Sequence, residues 1–380
     1  MPYPDGVPVL TDGLVRLRAH AERDVPRIVQ QCTDPESLRW TTVPRDYTEE
    51  LAREWLGEVA KGWDGGGDRV WAVTEVGDPE DRFLGSVELR PRGAGRAKIG
   101  YGLHPQARGR GLMHRAVDLV CAHWFAQGGR RMDWYAERGN LASWAVARAT
   151  GFAFVTQLPE HLPDGEGRLV DTWFGSLGRG DPRTPRAAWL TPPVLEGDGV
   201  RLRPWRDDDR GSVEEPEHPP HHMPLRAAPS PATWDDWLVR RRLVMARGTS
   251  VNWCIADAAS DRALGEALVF VRDGALADGD TAELGYYLYP TARGRGAART
   301  AARLAVGHAA APEAAGGLGL RRLVAETAAD NLASNAVLAA AGFTRWGHEA
   351  AATAPDGSVA PADHWELQLT RAIPAGSGSD

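Results

Sequence analysis

Lys98-Ile-Gly-Tyr-Gly-Leu-His-Pro-Gln-Ala-Arg-Gly-Arg-Gly-Leu112 reads as a strand ending at Leu103, a tight turn, and the start of a helix. Past the turn, Leu112, Met113, Ala116, Val117, Val120, Cys121 and Trp124 fall on one helical face. The first N–H groups of such a helix lack intrahelical partners, and its dipole favours negative charge there. Gly109 and Gly111 let the backbone approach a ligand without Cβ clashes, while Arg108 and Arg110 add positive charge. The turn is therefore expected to cradle a diphosphate. A Walker loop would need Lys-Ser/Thr after the glycines, and a dinucleotide fingerprint a different spacing and a later acidic partner; neither is present. An RGG-type RNA segment would not be wedged between a strand and a helix. The plain alternative is a Gly turn with solvated arginines.

A second copy weakens that alternative. Glu283-Leu-Gly-Tyr-Tyr-Leu-Tyr-Pro-Thr-Ala-Arg-Gly-Arg-Gly-Ala297 repeats the stretch at an offset of 185, and Val15-Arg-Leu-Arg18 recurs as Val200-Arg-Leu-Arg203 at the same offset. Asn140-Leu-Ala-Ser143 and Gly151-Phe152 recur at 191 as Asn331-Leu-Ala-Ser334 and Gly342-Phe343. The slip falls at the Ala/Gly-rich stretch 309–319, expected to be a longer loop. Collinear pairs over the whole length indicate a duplication. The expected division is a first domain over 1–180, a linker over 181–197, a second domain over 198–374 and a disordered tail over 375–380. Within a copy, strands come first and then strand, turn, helix, strand, helix and strand: an α/β (mixed α+β) sheet. In the first copy the strands are expected over 14–18, 70–76, 83–89, 97–103, 132–136 and 170–177, and the helices over 21–33, 49–61, 112–124 and 142–150.

The chain has 380 residues, too many for one compact core. Its net charge of −7 argues against a nonspecific grip on nucleic acid, which depends on surplus Lys and Arg. No apolar run approaches the ~20 residues that span a bilayer, and the N-terminus has no signal-peptide pattern. Cys32, Cys121 and Cys254 are too scattered for a disulfide framework or a thiolate metal site. A cytoplasmic protein with neither membrane nor nucleic-acid partner is expected. Glu217-His-Pro-Pro-His-His222 contains ligand-type residues, but in a Pro-rich run without helical metal-site spacing. A mobile loop over the second copy's cleft is expected there, and no metal.

Both quoted stretches resemble the acyl-CoA signature of GNAT acetyltransferases. The continuation through Asn and Ser to Gly-Phe, and then Asp171-Thr-Trp-Phe and Asp363-His-Trp-Glu, is similar to the RimJ/RimL-like branch that acetylates ribosomal-protein N-termini. The resemblance implies two tandem GNAT folds, each a splayed, mostly antiparallel sheet flanked by helices. It implies acetyl-CoA as cofactor, with an acetyl group passing by direct attack to a small-molecule amine or a protein N-terminus. An aminoglycoside-like acceptor, or a non-catalytic acyl-CoA-binding tandem, is the alternative. Duplication fits a monomer that mimics a dimer internally, or a homodimer.

The cofactor positions so implied are Leu103, Arg108, Gly109, Arg110, Gly111, Leu112 and Asn140, matched by Leu288, Arg293, Gly294, Arg295, Gly296, Ala297 and Asn331. Glu283 stands where related enzymes often carry an acid; the first copy has Lys98 there, so Glu88 on the preceding strand is its candidate base. Ser143 and Ser334 are candidate proton donors to the departing thiolate, and Asn140 and Asn331 also suit helix N-caps. Trp40, Asp171 and Asp363 are candidate substrate contacts.

Overall fold

The computed structural model describes residues 6–224, 227–270 and 280–369. The expected tail over 375–380 lies outside them, as does Val271, the end of a strand that the sequence leads one to expect over 264–271 in the second copy. The chain divides into two compact units, residues 1–187 and 188–380. The stretch 181–197 is shared between them. In the first unit Asp181 accepts from Gly178 N at 2.7 Å and pairs with Arg186. In the second, Leu190 N donates to Met245 O, and 195–197 form a strand.

The first unit runs β1 (Leu10–Thr11), β2 (Val15–Arg18), α1 (Val25–Cys32), α2 (Pro35–Trp40), α3 (Glu49–Asp64), β3 (Arg69–Glu75), β4 (Gly85–Pro91), β5 (Arg96–Leu103), α4 (Leu112–Ala126), β6 (Arg131–Glu137), α5 (Leu141–Ala149), β7 (Ala153–Pro163) and β8 (Leu169–Gly178). Its sheet has the order β1-β2-β3-β4-β5-β6-β8-β7, antiparallel except for β5 beside β6. Three elements were not anticipated: the two-residue strand β1, helix α2 and strand β7. The sequence Pro35-Glu-Ser-Leu-Arg-Trp40 becomes α2 because Asp34 caps it, accepting from Ser37 N. Strand β7 escapes a period-2 reading because it is mostly exposed and its pairing with β8 is broken twice by bulges.

The second unit repeats this with β9 (Leu195–Gly197), β10 (Val200–Arg203), α6 (Trp234–Ala246), β11 (Ser250–Asp257), β12 (Ala263–Phe270), β13 (Thr281–Leu288), α7 (Ala297–Ala310), β14 (Arg322–Ala328), α8 (Leu332–Ala340), β15 (Thr344–Thr353) and β16 (Val359–Gln368). Strand order is again β9-β10-β11-β12-β13-β14-β16-β15, with only β13–β14 parallel. Helix α7 extends to Ala310, so the slip between the copies is absorbed later than expected, in a loop and short 3-10 turn over 311–319.

Apolar alternation on the strands sends one side chain to each face in turn, and helices cover both. One face of the second sheet buries Leu202, Trp253, Ile255, Val269 and Leu284 against Ala301, Ala302 and Ala305 of α7. The other face buries Cys254 and Ala263 against Trp205, Trp234 and Trp237, the last two on α6. A matching cluster in the first unit joins Val25, Ile28, Ala52, Leu56, Ala72 and Phe83.

Candidate active site

The β5–β6 ladder ends early. Arg96 to Ile99 pair with Arg131 to Trp134, but Gly100 to Leu103 keep only their β4 partners. In the second unit Thr281 to Glu283 pair with Arg322 to Val324, and the rest of β13 has only β12. Each sheet therefore splays where the quoted sequence leads into its turn. His104 N donates to Leu84 O and Tyr289 N to Leu264 O. Antiparallel alternation then turns the N–H groups of Leu103 and Leu288 into the splay. Glycine is needed at the start of β12: a Cβ on Gly265 would lie 2.1 Å from Tyr287 O.

The Gly-rich turn follows. Gly111 caps α4 at φ +73° and Gly296 caps α7 at φ +82°, both left-handed. A Cβ at either, or at Gly109 or Gly294, would meet nothing within 4 Å, so the space over the helix N-termini of Leu112 and Ala297 is open. The arginines differ between units. Arg108 binds Asp34 and Ser37, and Arg110 binds both oxygens of Glu75. Arg293 donates to Glu217 O at 2.7 Å, while Arg295 makes no hydrogen bond or ion pair among the described residues.

Across the splay, Asn140 Oδ1 accepts from Ser143 N and Asn331 Oδ1 from Ser334 N, so both asparagines are N-caps. Ser143 Oγ donates to Tyr101 OH and accepts from Trp134 Nε1; Ser334 Oγ lies 2.9 Å from Tyr286 OH. A tyrosine on the splayed strand thus ties it to the helix beyond, twice. The sequence reading missed these tyrosines, although Gly-Tyr is repeated in the right place.

The candidate carboxylates separate. Glu88 pairs with Arg90 and sits against Gly100. Glu283 lines a cleft of about 1010 Å³ within the second unit. At the floor of that cleft lies an acid the sequence reading did not select. Glu266 on β12 is 0% exposed and accepts from Arg241 Nη2 of α6 at 2.8 Å. Burial pushes its carboxyl up to about 7, with the Arg241 guanidinium opposing. Glu266 Oε1 and the buried hydroxyls of Tyr287 and Tyr289 have no hydrogen-bond partner among the described residues. Such groups require a ligand or water. Glu266 could have been suspected as a lone acid in phase with Leu268 and Phe270 on an apolar strand.

In the first unit the ladder places Ser86 opposite Gly102, where Glu266 stands opposite Tyr287. His20, at the position of Trp205, meets Ser86 Oγ at 3.1 Å. Burial lowers its imidazole to about 4. Gln31 lies over Gly102 there.

The three expected substrate contacts are used internally. Trp40 Nε1 donates to Glu36 Oε1. Asp171 accepts from Gln157 Nε2 and Glu160 N, holding β7 to β8. Asp363 is 2% exposed and binds Arg345 and His348 of β15, which holds its carboxyl below the usual range. In this structure both aspartates are engaged in holding hairpins together.

Among the described residues no helix is long and apolar enough to cross a membrane. No curated protein gives a significant sequence match. Among solved structures, RimJ of Mycobacterium smegmatis in complex with CoA-disulfide is similar at 18% identity, covering 47% of this chain and 90% of that one, TM-score 0.40. A putative ribosomal-protein-serine acetyltransferase from Vibrio cholerae is 16% identical over 47% of this chain and 99% of that one, TM-score 0.40. An acetyltransferase from Salmonella typhimurium, described as modifying the N-terminal serine of ribosomal protein L7/L12, is 19% identical over 45% and 99%, TM-score 0.40. The family model "Acetyltransferase (GNAT) domain" matches twice, over 15–153 and 200–344, each match running from the first long strand through the splay and the turn. The chain therefore belongs to the GNAT acetyltransferase family, as two tandem copies of its domain, and is an acyltransferase.

Proposed function

We propose that the C-terminal domain transfers an acetyl group from acetyl-CoA to a primary amine, on a small molecule or a protein N-terminus, with Glu266 as proton acceptor. The observation that carries this reading is a fully buried carboxylate, titrating near 7, at the floor of the cleft beside the splay. The residues present fit the cofactor: an open strand edge suits the pantetheine arm, and the uncovered glycines of the turn suit its diphosphate. Acetyl-CoA, when bound, supplies an activated thioester.

The chain's residues do the rest. Leu288 N–H, turned into the splay, would donate to the thioester carbonyl oxygen. Arg295, which makes no hydrogen bond or ion pair among the described residues, would meet diphosphate charge. The neutral amine would attack the thioester carbonyl carbon, and Glu266 would take the proton its nitrogen then loses, through a bridging water because the carboxylate has no exposed surface. Ser334 and Tyr286, already sharing a hydrogen bond, would return a proton to the departing thiolate. An α-amine of pKa ~7.7–8.0 is matched to a base titrating near 7, whereas a lysine at ~10.4 is not. The matched acceptor is thus an α-amine.

The N-terminal domain keeps the splay and the turn but has Ser86 and His20 in place of the carboxylate. That favours acyl-CoA binding there without the same base. The test mixes the full chain with acetyl-CoA and a thiol-trapping dye over a panel of amines and of peptides with free or blocked N-termini. Thiol release that requires a free α-amine supports the reading. Tight CoA binding with no release on any amine overturns it in favour of a binding module.

A further inference from the structure

We propose that His221, His222 and Asp330 form a binding site for a divalent transition metal of the zinc class at the rim of the C-terminal cleft. His221 Nε2 lies 2.9 Å from Asp330 Oδ2, and His222 Nε2 lies 3.0 Å from Oδ1. The three ligand atoms fall within 4.8 Å of one another. Ligands about 2.0–2.2 Å from a tetrahedral zinc ion are themselves roughly 3.3 Å apart, so little movement would admit the ion. Two imidazoles and a carboxylate are a borderline donor set, suited to zinc rather than to magnesium or calcium.

The site is built from both sides. Pro219 and Pro220 restrict the backbone just before the two histidines and set them on one 3-10 turn. Asp330 immediately precedes the Asn331 cap of α8, a rigid mount. Among the described residues its carboxylate has no hydrogen-bond partner besides the two histidines. The Asp330 side chain is 64% exposed, which leaves room for a water as fourth ligand. The N-terminal domain has Gly139 at the place of Asp330, so the site is peculiar to the second copy.

Its position gives it consequence. The strap 216–224 lines the cleft and is pinned at one end by Arg293 of the turn, which donates to Glu217 O. The histidines pin its other end to α8. A metal ion there would clamp the strap across the mouth of the cleft. This inference is independent of which amine is acetylated and of Glu266.

The test uses the tag-free full chain, stripped with a chelator, and titrates ZnCl2 by calorimetry and CoCl2 by visible absorption. One saturating equivalent, with the intense bands of tetrahedral cobalt, is expected. His222→Gln and Asp330→Asn should each weaken binding by at least about tenfold, while His218→Gln leaves it unchanged. Circular dichroism of the metal-free variants checks that each is folded. Absence of saturable binding, or binding unaltered in His222→Gln and Asp330→Asn, overturns the proposal and leaves the contact a pair of hydrogen bonds.

Discussion

Arg241 holds Glu266 by one oxygen only: Nη2 donates to Oε2 at 2.8 Å, and Oε1 is left buried without a hydrogen-bond partner among the described residues. Arg241 is itself fixed, donating to Ala227 O and lying 5.1 Å over the Trp237 ring. Burial still outweighs the guanidinium, and the carboxyl rises rather than falls. A base made this way is poised near neutrality, where proton transfer is most effective.

Glu266→Gln keeps the volume and can still meet Arg241, but it cannot accept a proton. A loss of roughly 10² to 10⁴ in kcat is expected, with CoA affinity unchanged. In the wild type, kcat/KM should rise with pH through about 7, because only the deprotonated carboxylate is a base. A pH–rate profile of the variant that retains this limb would assign it to another group.

Much of the architecture was legible because it rests on local chemistry repeated twice. The turn needs glycine at Gly111 and Gly296, and Asn140 and Asn331 open helices, so spacing alone finds them. The burial of Glu266, beyond its place as a lone acid on an apolar strand, was not legible for the opposite reason. Its burial depends on α6 bringing Arg241 and Trp237 over β12, a contact between segments whose sequences carry no shared signal. The partners of Asp363 were not legible either, because Arg345 and His348 reach it from the neighbouring strand.

Both domains should bind CoA, giving two equivalents per chain by calorimetry. Gly111→Ala should remove one and Gly296→Ala the other. In each case a Cβ meets no protein atom, but it enters the ligand's space and forces a left-handed residue, at a cost of about 1–2 kcal/mol. Unchanged stoichiometry in either variant would show that the turn does not hold the cofactor.

Arg203 is 1% exposed, bidentate to Asp209 and also bonded to Asp261 O at 2.9 Å. Arg18 repeats this with Asp24 and Asp81 O. Arg203→Ala leaves the Asp209 carboxylate buried without its partner, and a loss of about 3–5 kcal/mol is expected. In a denaturant titration followed by hydrogen exchange, peptides from the second domain should lose protection first. A loss spread equally over both domains would contradict this.

The same physical cause gives the two domains opposite pH responses. His20 titrates near 4 in the folded chain against 6.5 outside it. Its contribution is full above 6.5 and is lost as pH falls through 4, because the unfolded state takes up the proton first. Glu266 titrates near 7 against 4.5, so its contribution is full below 4.5 and is lost as pH rises through 7. Each shift corresponds to about 3 kcal/mol. Exchange of β2 and β4 amides should therefore accelerate between pH 6 and 4 relative to His20→Gln, compared at equal pH. Exchange of β12 amides should accelerate between pH 5 and 8 relative to Glu266→Gln. If both variants track the wild type throughout, neither group is linked to folding as its burial requires.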